Sequence, residues 1–549
     1  MYGTIDVIAF VGDAKIQHCL TPNPAVSFQI NEFLAFRGAV EVNAVFSLVV
    51  SVAQRDKVGV VIHAEGDSDV LGRFKHLLHF FGGSYFSVSA SDMKRHVSNL
   101  GKLTILMFRI RKLSNSAMVT KGFELLVFFQ VEKVLNHLSF RFSHLRQCGM
   151  NEIRFAARRL SEKVGSLSTT WKFILIALIA FLILALSKGP PPGQDHFVYL
   201  AYSFLHGRLY VTGGGTALEE LVLLNGHYYV VYPPMSAIIL LPFVAVFGTS
   251  VDQSLVSIIL ASICVSLTWL MLRKVGMKGS KVLWLVALFG FGTCFWYTAA
   301  VGSAWYIEQV TAVLFLTTAI ILALYKKNNI FVGVSLGCAY LSRLPTVLAF
   351  PFFLLLAYEQ NDSWRPRLKQ MSLFFVGLAI PVFLDLAYNF ARYDTILDIG
   401  YTIIIKGDPN YTYGLFSLTY IPRNIYAIIF QGPILVNSFP YFKPDWMGLG
   451  LFFTTPAFLY IFNGPWNKLS KYSAVAVVCI LSLLITHGEV GFTQFGYRFS
   501  LDFTPFLMLL TAKGMSEKLS WQEKAIIILS ILVCLWGVVC IIKFNFVSF

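Results

Sequence analysis

From Trp171 onward the chain alternates long apolar blocks with short polar ones. A bilayer core takes about 20 apolar residues per helix. On that measure about eleven blocks predict crossing helices, near 171–187, 254–272, 282–299, 309–325, 329–342, 345–358, 371–388, 446–462, 473–486, 503–513 and 525–542. Arg154, Arg158, Arg159, Lys163 and Lys172 stand at the start of the first block. Every second connection after it is basic: Arg273/Lys274/Lys278/Lys281, Lys326/Lys327, Arg365/Arg367/Lys369, Lys468/Lys471 and Lys513/Lys518/Lys524. Positive charge collects on the cytoplasmic side of a membrane protein, so the pattern predicts a cytoplasmic N-terminus and an outward first crossing. The alternation holds only if the apolar piece 236–247, short and preceded by Pro233 and Pro234, lies at the outer interface.

The fold class expected is therefore an all-α polytopic membrane protein with two long outer loops, 188–253 and 389–445, carrying interfacial helices. Both loops are crowded with aromatics, including Tyr199, Tyr210, Tyr228, Tyr232, Tyr401, Tyr411 and Tyr420. Such rings form a belt at the headgroup level, or stack on sugar or isoprenoid surfaces.

Residues 1–149 read differently. His63, His76, His79 and His96 are scattered through them, no sustained helical or strand period is visible, and no apolar run reaches membrane length. Asp6 and the lack of a basic start argue against a signal peptide. Met150, by contrast, leads through the basic amphipathic NEIRFAARRLSEK directly into the first apolar block. The expectation is that Met150 is the true start, that 1–149 is a mistranslated extension or a dispensable domain, and that 150–549 is the transmembrane domain.

Composition narrows the class. Charged residues make up 13% of the 549, against about 25% in a soluble domain. The net charge of +15 would suit nucleic acid, but the cations sit at the ends of apolar blocks, where they signal topology, and no nucleic-acid partner is expected. Six of the eight cysteines (Cys264, Cys294, Cys338, Cys479, Cys534, Cys540) fall inside apolar segments, which reads as buried thiols rather than a disulfide framework. No phosphate-binding GxxxxGK[ST], no HExxH and no paired-aspartate metal motif of an outer loop is present, so no cofactor is expected and a metal is not indicated.

The ionisable residues at the outer boundary carry the candidate chemistry. Asp195 opens an amphipathic segment with Phe197, Leu200, Ala201, Phe204 and Leu205 on one face, expected to lie in the interface. Its carboxylate either caps that helix or acts as a general base on an acceptor hydroxyl. Glu308 either complements a helix dipole or orients a substrate. Arg343 either reaches lipid headgroups or binds a lipid-linked phosphate. Arg498 and Asp502, four residues apart, are expected to form an ion pair on one helical face, with phosphate binding by Arg498 as the alternative. His196, Arg423 and Lys406 are further candidates for substrate or phosphate, and Asp385 is placed near the end of the seventh span.

These pieces resemble a known superfamily. A short cytoplasmic start, one span, then the acid of GQDHFVYLA, an amphipathic helix and HYYVVYPPMSAIILLPFVAVFG are similar to the GT-C integral membrane glycosyltransferases. The nearest likeness is to bacterial relatives of the protein O-mannosyltransferase and aminoarabinose transferase group, glycosyltransferase family 39-like. GSAWYIEQV and FGYRFSLDFTPFLMLL match the family's second acid and its late arginine region. The resemblance spans about 155–545 and implies a polyprenyl-phosphate sugar donor, a lipid, glycan or protein acceptor, and a site on the outer face of a cell membrane, the bacterial inner membrane. Asp195 takes the place of the family's base and Glu308 that of its second acid. The competing reading is a transporter or flippase of a lipid-linked or amphipathic solute; ionisable groups gathered at one boundary and the lack of a clear repeat count against it.

Overall fold

The computed structural model describes residues 165–545 apart from 192, 213–219, 438 and 493, together with five strands before them. The chain divides into two units, Met1–Glu152 and Ile153–Phe549. The proposed start at Met150 and the basic stretch after it lie outside the described residues.

In the first unit, β1 (Val7–Ile8) pairs with β5 (Met107–Phe108), and β2 (Val26–Gln29), β3 (Ala44–Ala53) and β4 (Lys57–Gly66) form an antiparallel sheet in that order. β3 and β4 are in register from Ala44↔Gly66 to Ala53↔Lys57. The strands form although no sustained strand period is visible in the sequence. Valine and isoleucine favour extended backbone, and here they stand at both odd and even positions of AVFSLVVSVA and KVGVVIHAEG, which hides the two-residue period.

The second unit is helical. Its main helices are α1 (Thr169–Ser187), α2 (His196–Leu205), α3 (Met235–Phe247), α4 (Gln253–Lys274), α5 (Gly279–Phe291), α6 (Phe295–Val301), α7 (Ala304–Leu324), α8 (Asn329–Tyr340), α9 (Phe350–Tyr358), α10 (Trp364–Tyr393), α11 (Lys468–Leu484), α12 (Thr504–Gly514) and α13 (Trp521–Gly537). A hairpin of β6 (Leu221–Leu224) and β7 (His227–Val230) lies between α2 and α3.

Helical segments fall in all eleven expected regions, yet among the described residues five helices are long and apolar enough to cross a membrane: α1, α4, α7, α10 and Trp521–Lys543. There are six if α5 and α6, bent by 49° against each other, make one span. The remaining segments, such as α8 with 12 residues and α12 with 11, are shorter than a bilayer core.

The long helices divide by environment. α4 and α7 are largely interior, whereas α1 shows Leu178, Ile179, Leu182 and Leu186 to the outside and α10 shows Phe375, Val376, Phe383 and Leu384. Contiguous exposed side chains of that kind are favourable against lipid and costly in water. The described cysteines are free thiols, and four of them are buried.

Helix direction alternates, and two ends of the bundle result. At one end Lys188 pairs with Asp252, the Ala304 N–H donates to the Gln194 carbonyl, and Lys543 donates to the Lys188 carbonyl. At the other end Lys281 donates to the Met515 carbonyl and Lys513 to that of Val275, while Asn329 binds Gln360 and Gln370. The basic clusters of the sequence gather at this second end. α3 starts with Met235 donating to Leu341 and leads through Gly248 to Asp252, so both its termini stand at the first end.

α8 and α10 approach closely. A Cβ on Gly333 would overlap the Phe374 carbonyl, one on Gly377 the Ile330 carbonyl, and one on Gly337 the Pro381 ring. Small residues four apart let helix backbones meet where no hydrophobic effect drives them together.

Candidate functional site

The ionisable residues of the first end form two groups. In the larger one, Arg343, at the turn after α8, reaches two elements that sequence places far away. Its Nη1 donates to Glu308 Oε1 at 3.0 Å, its Nη2 to Asp502 Oδ2 at 3.1 Å and its Nε to Asp502 Oδ1 at 3.2 Å. The carboxylates are 3% and 0% exposed at the side chain, the guanidinium 14%. Two carboxyl groups share one guanidinium, with the paired arms of Arg343 matched to Asp502 in the fork geometry that Arg alone provides. Phe499 lies 4.8 Å beneath the guanidinium.

Several expectations are corrected here. Arg498 and Asp502 do not form an ion pair: their segment Arg498–Asp502 is a 3₁₀ helix, in which three residues make a turn, so residues four apart point in different directions. Arg343 is engaged by the carboxylates of Glu308 and Asp502. Glu308 stands in the second turn of α7, where the first turn carries no acid, so a dipole role does not describe it.

Arg498 has a contrasting environment. It is 7% exposed, its Nη1 donates to the Trp305 carbonyl at 2.8 Å and its Nε to Gln494 Oε1 at 3.2 Å. Tyr306 and Phe499 flank it at 5.0 and 5.3 Å. Its hydrogen-bond acceptors are neutral, and among the described residues no carboxylate comes within ion-pairing distance of it. The carboxyls of Glu308, Asp502 and Glu489 feel its charge from beyond ion-pairing distance, and a direct anionic partner would add to that weaker compensation.

Aromatic and acidic residues from the long loops close over this group. Tyr401 packs against Tyr232, of the Tyr-Pro-Pro segment, and against His487. The Trp305 indole donates to Glu220. The hydroxyls of Tyr232 and Tyr497 are buried and have no hydrogen-bond partner among the described residues, which marks places for water or a polar ligand.

Asp195 belongs to the second, neighbouring group. The charges that act on it are those of Asp252 and Lys188. Its backbone carbonyl accepts from Val198 and Tyr199, but its side chain makes no cap bond on α2, which decides against the capping role. Burial first, then the negative charge of Asp252, raises its carboxyl above the usual carboxylate range, with Lys188 opposing. Of the amphipathic face expected from sequence, Phe197, Leu200 and Ala201 pack inside the protein, while Phe204 is partly buried and Leu205 is 47% exposed.

The remaining candidates are structural in their contacts. His196 is fully buried at the start of α2. Arg423 donates to the Gly488 carbonyl and, at 3.1 Å, to Asn424 Oδ1, tying the second long loop to the segment after α11. Asn424 does the same through Ile485 and His487. Lys406 is exposed. Asp385 accepts a 2.6 Å bond from Tyr340. Among the described residues no three His, Cys, Asp or Glu side chains converge as a metal site.

Sequence reasoning missed Glu220, Gln494 and His487. Glu220 adopts φ 59°, strained for a residue with a side chain, and nothing but the preceding glycines hints at it. His487 is held neutral by burial, its pKa lowered to about 4, with Arg343 and Arg423 adding to that effect.

Comparison of the chain with family models, with curated proteins and with solved structures finds no match.

Proposed function

We propose that the chain is a multi-pass membrane glycosyltransferase of the GT-C type, moving a sugar from a polyprenyl-phosphate carrier to a lipid, glycan or protein acceptor. The observation that carries this reading is Arg498, buried beside the Glu308–Arg343–Asp502 cluster and supplied only with neutral acceptors. A lipid-linked phosphate would give Arg498 the direct anionic partner that its neutral acceptors do not, and its isoprenoid tail suits a bundle with apolar flanks.

In this reading the chain crosses the membrane about eleven times, its basic end is cytoplasmic, and the site faces outward. The acceptor oxygen attacks the anomeric carbon, the bond from that carbon to the phosphate oxygen breaks, and the phosphate leaves with the electron pair. Asp195 takes the hydroxyl proton, a task suited to a carboxyl whose pKa is raised. Arg498 balances the charge growing on the departing phosphate. Glu308 and Asp502 fix Arg343, and that cluster orients the sugar.

The test is transfer by the full chain in lipid bilayers from a panel of radiolabelled polyprenyl-phosphate sugars, beside Asp195→Asn and Arg498→Gln. Native transfer is expected, with kcat reduced about 10²–10⁴-fold in the first variant and about 10²–10³-fold in the second. Full activity in Asp195→Asn refutes the base. No transfer from any donor by folded native protein, with no donor binding, refutes the enzyme and favours a transporter.

A further inference from the structure

An apolar groove lies at the opposite end of the bundle from the acidic cluster. Phe350, Pro351, Leu354, Leu355 and Tyr358 of α9 and Met371 of α10 line its volume of about 300 Å³. Met371 and Arg367 are one helical turn apart on α10, so Arg367 stands over the mouth of the groove on the same face. Its position is fixed by neutral partners: Nη1 donates to the Tyr358 hydroxyl at 2.9 Å, Nε to the Asn361 carbonyl at 2.7 Å, and the guanidinium lies 4.1 Å from the Tyr358 ring. Arg365 and Lys369 are exposed on the same turns of α10 and Trp364 beside them is 66% exposed. Glu359, on which the charge of Arg367 also acts, bonds Lys468 at 2.7 Å and Tyr472 at 2.6 Å.

An apolar slot open to the side of the bundle, capped by a fixed cation with further cations and a tryptophan beside it, has the complementarity of one amphiphile. We infer that the groove binds the acyl chain of an anionic phospholipid, whose phosphate sits on Arg367 with Arg365 and Lys369 adding to its field. Basic pockets between membrane helices recognise anionic headgroups in this way. The zwitterionic lipid fits the slot equally well and differs only at the headgroup. Selectivity between the two therefore reports on the cations, and retention of either reports on the slot. Nothing in this inference depends on the sugar-transfer reading.

The experiment is native mass spectrometry of the full chain released from mixed micelles of phosphatidylglycerol and phosphatidylcholine, with thermal unfolding in each lipid alone. The native chain is expected to retain one phosphatidylglycerol in preference to phosphatidylcholine. Arg367→Gln is expected to cut that preference about fivefold, the ~1 kcal/mol that one basic residue contributes toward an anionic surface. Leu355→Trp, which fills the slot and leaves the cations in place, is expected to lose retention of both lipids. Arg365→Gln, which leaves the Tyr358 bond intact, separates headgroup charge from local folding and is expected to lower the preference with unfolding unchanged in lipid-free detergent. Equal retention of the two lipids by the native chain overturns the inference, as does a preference that survives Arg367→Gln and Arg365→Gln, or retention that survives Leu355→Trp.

Discussion

Replacing Arg343 by methionine leaves Glu308 and Asp502 as two carboxylates, 3% and 0% exposed, with no ion-pair partner among the described residues. Removing one member of a buried ion pair costs about 3–5 kcal/mol. At roughly 2 °C per kcal/mol for a large domain, the melting temperature should fall by about 6–10 °C. The two acids should not be equivalent. Glu308→Gln keeps an amide oxygen for the 3.0 Å bond from Nη1 and leaves Arg343 and Asp502 as a neutral pair, so it costs about 1 kcal/mol. Asp502→Asn turns one of two accepting oxygens into an NH₂ that faces a guanidinium N–H. The fork is lost, at about 2–4 kcal/mol. Thermal unfolding of the native chain and the three variants in one detergent should therefore rank Arg343→Met as most damaging, then Asp502→Asn, then Glu308→Gln. If Glu308→Gln is as harmful as Asp502→Asn, or Arg343→Met melts within about 1 °C of native, the cluster does not hold the fold together as described.

Acid should expose the burial of His487. Its pKa falls from the ordinary 6.5 to about 4 in the folded chain, so between those values the unfolded chain binds a proton that the folded one refuses. Its contribution is complete above about pH 6.5 and is lost as pH falls toward 4, amounting to at most about 3 kcal/mol. His487→Gln should remove that part of the pH dependence, measured as native-minus-variant stability from pH 7 to 4; a flat difference refutes it. Gly377→Ala should destabilise by at least about 1–3 kcal/mol, because its methyl meets the Ile330 carbonyl and pushes α8 off α10, and unchanged unfolding would contradict that close approach. In the transfer assay Asp195→Asn should abolish turnover while leaving unfolding near native, since its side chain caps nothing.

Hydropathy revealed the long helices because lipid contact imposes one demand on every outward position of α1 and α10. It could not reveal which apolar blocks stay short: α12 is buried from Thr504 to Ala512 and α8 and α9 are covered in part, so neighbours as well as length satisfy them. The ionisable residues at one end were visible as costly exceptions in apolar surroundings, and Glu308, Arg343 and Asp502 are three of them. Their pairing was not visible, because 35 and 159 residues separate Arg343 from its partners. The nearest acid in sequence misled for Arg498, since an α-helical turn was assumed where the backbone takes a tighter one. Asp195 was open to two readings that differ only in where one carboxylate points, and no sequence pattern records that.

The two arginines of the site divide the work by what already surrounds them. For a phosphate to bind Arg343 it would have to displace a carboxylate or sit beside two, and like charges at that distance repel by more than the guanidinium can return. At Arg498 the incoming anion meets a carbonyl and an amide oxygen, neutral groups that need not leave. Anion affinity should therefore follow Arg498 and fold stability should follow Arg343. Arg498→Gln is expected to weaken donor binding with little change in melting, and Arg343→Met to lower melting first. Were both variants to lose stability alike and binding alike, the two cations would be one structural unit, and the neutral acceptors around Arg498 would no longer point to a phosphate.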